Sequence, residues 1–270
     1  LKKLFIVVVA ILALASVVAG KVHWDNKIEA TTKNVEKTEI KSGNVGKTDN
    51  TAEENNAQNI VKEDVLKYIG NLPEEIVTKI KEAITTKEPV HLAIMGSAST
   101  PSGPNGWPTM LKEELLNTYG EGIFEVTIKE IANKKSSDVV AEYLYQDVLE
   151  SKPDILLFEP FILYDNGLVE LQDRFTNLTT IVNEFKTQVP DVTVLIQPAN
   201  PLYNATFYPK EVEELQMFAE NNGYIYLNHW EAWPDHQSPE IENYLTEGMP
   251  SELGHQVWAD YLKNYFISSN

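Results

Sequence analysis

The sequence predicts a single three-layer α/β/α domain with a central parallel sheet of about five strands. Two observations lead there. From Val90 onward, short apolar runs alternate with amphipathic stretches at helical spacing, which implies right-handed crossovers and a sheet covered on both faces. The first apolar run ends in Gly96-Ser97, and a histidine, His255, returns in the last amphipathic stretch, as expected where an α/β sheet gathers chemistry at one edge. No internal repeat is visible.

Order begins near Ile60. Pro73-Glu74-Glu75 places proline and acids in a first helical turn, and Ile76, Val77, Ile80, Ala83 and Ile84 recur at helical spacing. Val90 to Met95 reads as the first strand. Pro108 to Tyr119 follows as a helix closed by Gly120. Phe124 to Ile128 is the second strand and Ser137 to Leu149 the next helix. Pro153-Asp154 precedes the strand Ile155 to Phe158, and Val169 to Phe185 is a long helix. Val192 to Ile196, the helix Pro209 to Glu220, the strand Tyr224 to Leu227 and the helix Ser251 to Ile267 complete the order.

Ahead of this domain, Lys2-Lys3 and the apolar run Leu4 to Val18 read as a signal peptide or an N-terminal membrane anchor over residues 1–20. Residues 21–59 are rich in Lys, Thr, Asn and Glu and read as a disordered polar linker, leaving 60–270 as the folded domain. The expected location is therefore outside the cytoplasm, secreted or anchored at a bacterial cell surface. The chain has no cysteine, which excludes disulfides, thiolate chemistry and Cys-ligated zinc. A net charge of -18 disfavours nucleic acid and anionic lipid as partners, so membrane contact is expected only through the N-terminal segment. A monomer is expected, with no cofactor.

Ligands of such sheets bind outside the carboxyl ends of the strands. In the first of those turns, Gly96 permits a tight bend and Ser97, Ser99 and Thr100 follow. A hydroxyl held there beside free backbone N–H groups has the makings of an acyl-transfer nucleophile, and the same residues also serve ordinary turn chemistry. Of the five histidines, His23 falls in the linker and His91 inside the first strand. His229, His236 and His255 remain as bases that can reach the rim. His255 has Glu252 three residues earlier, a spacing at which a carboxylate can orient an imidazole, although both also suit a helix's first turn. His236, beside Asp235, is the rival base. No HxxxH or HExxH pattern occurs, so no metal site is expected. GSASTPSGPNG lacks the lysine and spacing of a phosphate-binding loop. The aromatic residues of HWEAWP and PLYNATFYP can stack on sugars or cap the core.

These residues resemble the SGNH, or GDSL-like, hydrolase superfamily over roughly Val90 to Ile267. IMGSAST followed by NGWPTML resembles that family's strand, Gly-Asp-Ser-x-Thr turn and Trp-Pro helix start. KPDILLFEPFILYDNG resembles the strand with a Gly-x-Asn-Asp end. YLTEGMPSELGHQVWADYL resembles the Asp-Gly-x-His-Pro-Asn-x-x-Gly-His segment before the last helix. The resemblance implies an SGNH-hydrolase, flavodoxin-like layering and serine esterase chemistry, often on acylated carbohydrate. Aligned without a gap, however, the family nucleophile falls on Ala98, its His on Met249 and its Asp on Thr246. The expectation is that Ser97 attacks, that His255 relays the proton with Glu252 behind it, and that Gly96, Ala98 and Asn166 hold the oxyanion. Acylated small molecules or polysaccharide are the expected partners. A catalytically inactive relative that binds glycan through the same cleft is the alternative, and a tethered structural domain is a third.

Overall fold

A computed structural model describes residues 65–268. The segments expected at 1–20 and 21–59 and the expected domain start at Ile60 lie outside the described residues.

Helix α1 (Glu74–Thr86) starts at Pro73 with Glu74 and Glu75 in its first turn, buries Ile76, Val77, Ile80 and Ala83, and stops at Lys87 in the left-handed region. Strand β1 (Val90–Gly96) is followed by α2 (Trp107–Tyr119) and β2 (Phe124–Glu130). The helix expected over Ser137 to Leu149 is two short pieces, α3 (Ser136–Ala141) and α4 (Gln146–Glu150). Between them Tyr143 takes φ 52°. The chain thereby turns so that Tyr145, fully buried, packs with Val148 and Leu149 in one core cluster.

Strand β3 (Ile155–Phe158), the single turn α5 (Ile162–Asp165), α6 (Leu171–Gln188), β4 (Thr193–Ile196), α7 (Tyr208–Asn221) and β5 (Ile225–Tyr226) continue the alternation. Two 3₁₀ segments, His229–Ala232 and Pro239–Tyr244, lead to a small antiparallel hairpin of β6 (Leu245–Thr246) and β7 (Met249–Pro250). Helix α8 (Glu252–Phe266) closes the domain, capped by Ser251 accepting from the Gly254 N–H.

The five principal strands form one parallel sheet in the order β2-β1-β3-β4-β5. Strands β1, β3 and β4 split their side chains between two cores. Leu92, Ile94, Ile155, Leu157 and Leu195 pack with α1, α2 and α8, whereas Ala93, Met95, Leu156, Phe158 and Ile196 pack with α6 and α7. This is the predicted three-layer α/β/α arrangement, and burying each such Leu, Ile, Val or Phe contributes roughly 1.5–3 kcal/mol.

Trp258 joins α8 to the sheet edge. Its ring stacks on Trp107 at 4.7 Å and on His229 at 3.8 Å, and its Nε1 donates to Gln197 Oε1 at 3.0 Å. Trp258→Ala is expected to cost about 3–5 kcal/mol. At ~2–4 °C per kcal/mol for a domain of this size, calorimetry should show a thermal midpoint lower by about 10 °C. A midpoint within about 2 °C of the parent, well inside the spread of surface substitutions, would contradict this account of the core.

Candidate active site

The parallel register sets Met95 beside Phe158, so the residues that leave β1 and β3 emerge side by side. Glu159, the first residue after β3, donates its N–H to Met95 O at 2.9 Å and turns its carboxyl under the β1 turn. Its Oε2 accepts the Ser97 N–H at 2.7 Å, the Ser97 hydroxyl at 2.8 Å and the Thr100 hydroxyl at 3.1 Å. The space these groups share explains Gly96. A Cβ there would lie 2.6 Å from Glu159 Oε2 and closer still to Thr100 Oγ1.

Glu159 is completely buried, and burial pushes its carboxyl up to about 8. The three donors oppose that rise, and the neighbouring charge of Asp165 adds to it. Because all three donors converge on Oε2 and Oε1 has no hydrogen-bond partner, the proton held at neutral pH belongs on Oε1.

Two further ties fix the turn. Trp107 Nε1 donates to Ser99 O at 2.8 Å, and the Ser99 hydroxyl donates to Asn200 Oδ1 at 2.8 Å. Asn200, fully buried after β4, donates from Nδ2 to Gly248 O at 2.9 Å. The turn after β1, the connection after β4 and the β6–β7 hairpin are therefore held by one amide. Thr246 and Met249 face each other across that hairpin. The two positions on which the ungapped sequence resemblance sets an Asp and a His therefore share one hairpin, as a hydroxyl and a thioether. Ala98, on which the ungapped sequence resemblance sets a nucleophile, is the partly exposed residue of the turn. Its backbone N–H has no protein partner among the described residues.

Among the described residues, Ser97, His255, Glu252 and Asn166 make no hydrogen bond or ion pair with one another. Ser97 is hydrogen-bonded to Glu159, and no histidine among the described residues accepts from it. His255 lies in the first turn of α8 with Nδ1 buried and unpartnered, and burial holds its imidazole below the ordinary histidine range. Glu252 is exposed and makes no hydrogen bond or ion pair with His255 among the described residues. His236 is half-buried, its Nδ1 also unpartnered, with its ring 6.2 Å from that of Trp230. Asn166 donates to Glu211 Oε2 at 3.2 Å, beside the buried Arg174–Glu211 ion pair, and is committed to α7.

His229 is structural. Its Nδ1 accepts from Trp233 Nε1 and its Nε2 reaches Pro198 O, which fixes a neutral ring with the proton on Nε2. Burial lowers it to about 3.

Glu159 and Asn200 belong to the site without forming part of any sequence motif. The available signal was an acid placed directly after a wholly apolar strand, ILLFE, at the carboxyl edge.

No family model matches the chain, and no curated protein does. Solved structures do. A protein assigned as lipolytic, of the G-D-S-L family, from Desulfitobacterium hafniense superposes with a TM-score of 0.54 at 17% identity, covering 65% of this chain and 99% of that one. Axe2, an acetylxylan esterase from Geobacillus stearothermophilus, gives 0.52 at 18% identity over 66% of this chain and 94% of its own. A protein assigned as a GDSL-like lipase from Parabacteroides merdae gives 0.56 at 12% identity, over 66% and 96% respectively. Together with the five-stranded parallel sheet flanked by helices, these similarities establish that the chain has the SGNH/GDSL-like hydrolase fold.

Proposed function

We propose that the protein is an exported, cell-envelope hydrolase of ester-linked acyl groups, such as those carried by polysaccharide. In this reading Ser97 is the attacking hydroxyl and Glu159 its proton acceptor. The observation that carries it is the 2.8 Å hydrogen bond from Ser97 Oγ to a buried carboxyl poised near 8, beside the unpartnered N–H of Ala98. A base whose pKa lies near the working pH combines availability with proton affinity. The apolar run Leu4 to Val18 beside Lys2-Lys3, with the polar stretch after it, supports export and tethering.

Ionised Glu159 takes the Ser97 proton as Oγ bonds to the acyl carbon, and the carbonyl electron pair moves to oxygen, facing the Ala98 N–H. Collapse breaks the bond to the alcohol oxygen, which leaves with the proton from Glu159. Water then attacks the acyl–Ser97 ester, Glu159 again accepts a proton, and the free acid departs. Gly96 lets the hydroxyl and carboxyl approach, and Ser99 steadies the turn through Asn200.

A non-catalytic glycan-binding role is the second reading, favoured by Ala98, Thr246 and Met249 at the positions that correspond to the family triad. Hydrolysis of p-nitrophenyl acetate separates the two. The intact protein should turn it over, and Ser97→Ala should lower kcat/KM by at least ~10³-fold. Undiminished turnover in Ser97→Ala discards Ser97 as nucleophile, and a parent inert on every short-chain ester favours the binder.

A further inference from the structure

Three exposed aromatic rings have no ring partner among the described residues: Tyr164 (38% exposed), Tyr203 (40%) and Phe207 (71%). All three stand on the connections that leave the carboxyl ends of β3 and β4, neighbouring strands, and Glu159 begins the first of those connections. Singly exposed aromatics are ordinary, but three on the connections that leave two neighbouring strands at the edge of a candidate site are not.

The β4–α7 connection is also stiff. Pro198 and Pro201 punctuate it, Asn204 donates its N–H to His236 O at 2.8 Å, and Tyr208, which opens α7, is buried with its ring 5.5 Å from that of Trp230. Phe207 is therefore presented by an anchored neighbour, so a ring stacked on it costs little ordering.

Charge narrows the occupant. The stretches 97–106 and 197–207 contain no charged residue, whereas Glu231, Asp235, Glu240, Glu242 and Glu247 populate the segment after β5. Lys134 and Lys135, on the neighbouring rim, are paired with Glu142 and Asp138. Such a rim repels polyanions and leaves uncharged aromatic faces for a neutral ring to lie on.

We propose that Tyr203 and Phe207 form a stacking platform that holds a pyranose ring of a neutral glycan beside the Ser97 turn. The proposal deepens the ester-hydrolase reading, since it names the carrier of the acyl group, but it is tested by binding and needs no turnover. Titration calorimetry on the full chain would use xylohexaose, cellohexaose and chitohexaose as neutral probes and hexagalacturonate as the anionic one. At least one neutral probe should bind, and Phe207→Ala and Tyr203→Ala should each weaken it by about fivefold to tenfold. Phe207→Trp should retain binding. Phe207→Leu, which keeps apolar bulk without a π face, should behave like the alanine variant. Circular dichroism and the thermal midpoint confirm that each variant is folded.

No neutral probe binding at millimolar concentration, equal binding by Phe207→Leu, or tighter binding of hexagalacturonate each overturns the platform. A parent that binds a hexasaccharide through Phe207 but hydrolyses no ester keeps the platform and discards the hydrolase reading. Ester turnover without Phe207-dependent binding does the reverse.

Discussion

Glu159→Gln is expected to lower ester turnover by roughly 10²–10⁴-fold while making the fold more stable at alkaline pH. The amide preserves the shape and can still accept from the Ser97 N–H, but it cannot take a proton. In the parent, the rate should climb with pH through about 8, since only ionised Glu159 serves as acceptor. An imidazole base of ordinary pKa would place that limb nearer ~6.5. The linkage to stability has a definite sign. The folded carboxyl sits at about 8 against an ordinary value of 4.5, so the folded state holds a proton that the unfolded state releases. The contribution is fully present below about 4.5 and is lost as pH rises to about 8, by an amount of order a few kcal/mol. Urea titrations at pH 5 and pH 9 should show that slope in the parent and a flatter one in Glu159→Gln. Equal slopes would mean that Glu159 is not buried as described.

Gly96→Ala should damage both the fold and the site. The added carbon would sit 2.6 Å from Glu159 Oε2 and 2.9 Å from Glu159 Cβ, with Thr100 Oγ1 also in its way. Separating these groups strains the turn and breaks the convergence of three donors on one oxygen, together about 3–5 kcal/mol. Turnover should fall with it, because Ser97 loses its acceptor. Gly103→Ala is the matched control: nothing lies within 4 Å of a Cβ there, and a change within about 0.5 kcal/mol is expected. Similar midpoints for the two variants would contradict the crowding around Oε2.

The layering was legible because the buried parallel strands are short continuous apolar runs, and ILLF, TVLI and VHLAIMG need no tertiary knowledge to be read as strands. The break at Tyr143 was not legible, because helical spacing persists across it and only the burial of Tyr145 requires the turn. The β6–β7 hairpin, two residues on each side, is too short to carry a periodic signal. The site divides in the same way. Gly96-Ser97 announces itself locally, whereas the pairing of Ser97 with Glu159 depends on the register between β1 and β3, across sixty-two positions of chain. His255 stands at a suggestive spacing from Glu252, but three residues on a helix say nothing of what the ring faces. His229, equally plausible by position, is consumed by Trp233 and Pro198.

The most direct measurement is covalent labelling of the full chain by a fluorophosphonate, with mass mapping of the modified residue. The account predicts a single adduct on Ser97, forming faster as pH rises towards 8 and lost in Glu159→Gln. An adduct on Ser99 or Ser102, or no adduct where a known serine esterase labels readily, would contradict the pairing of Ser97 with Glu159.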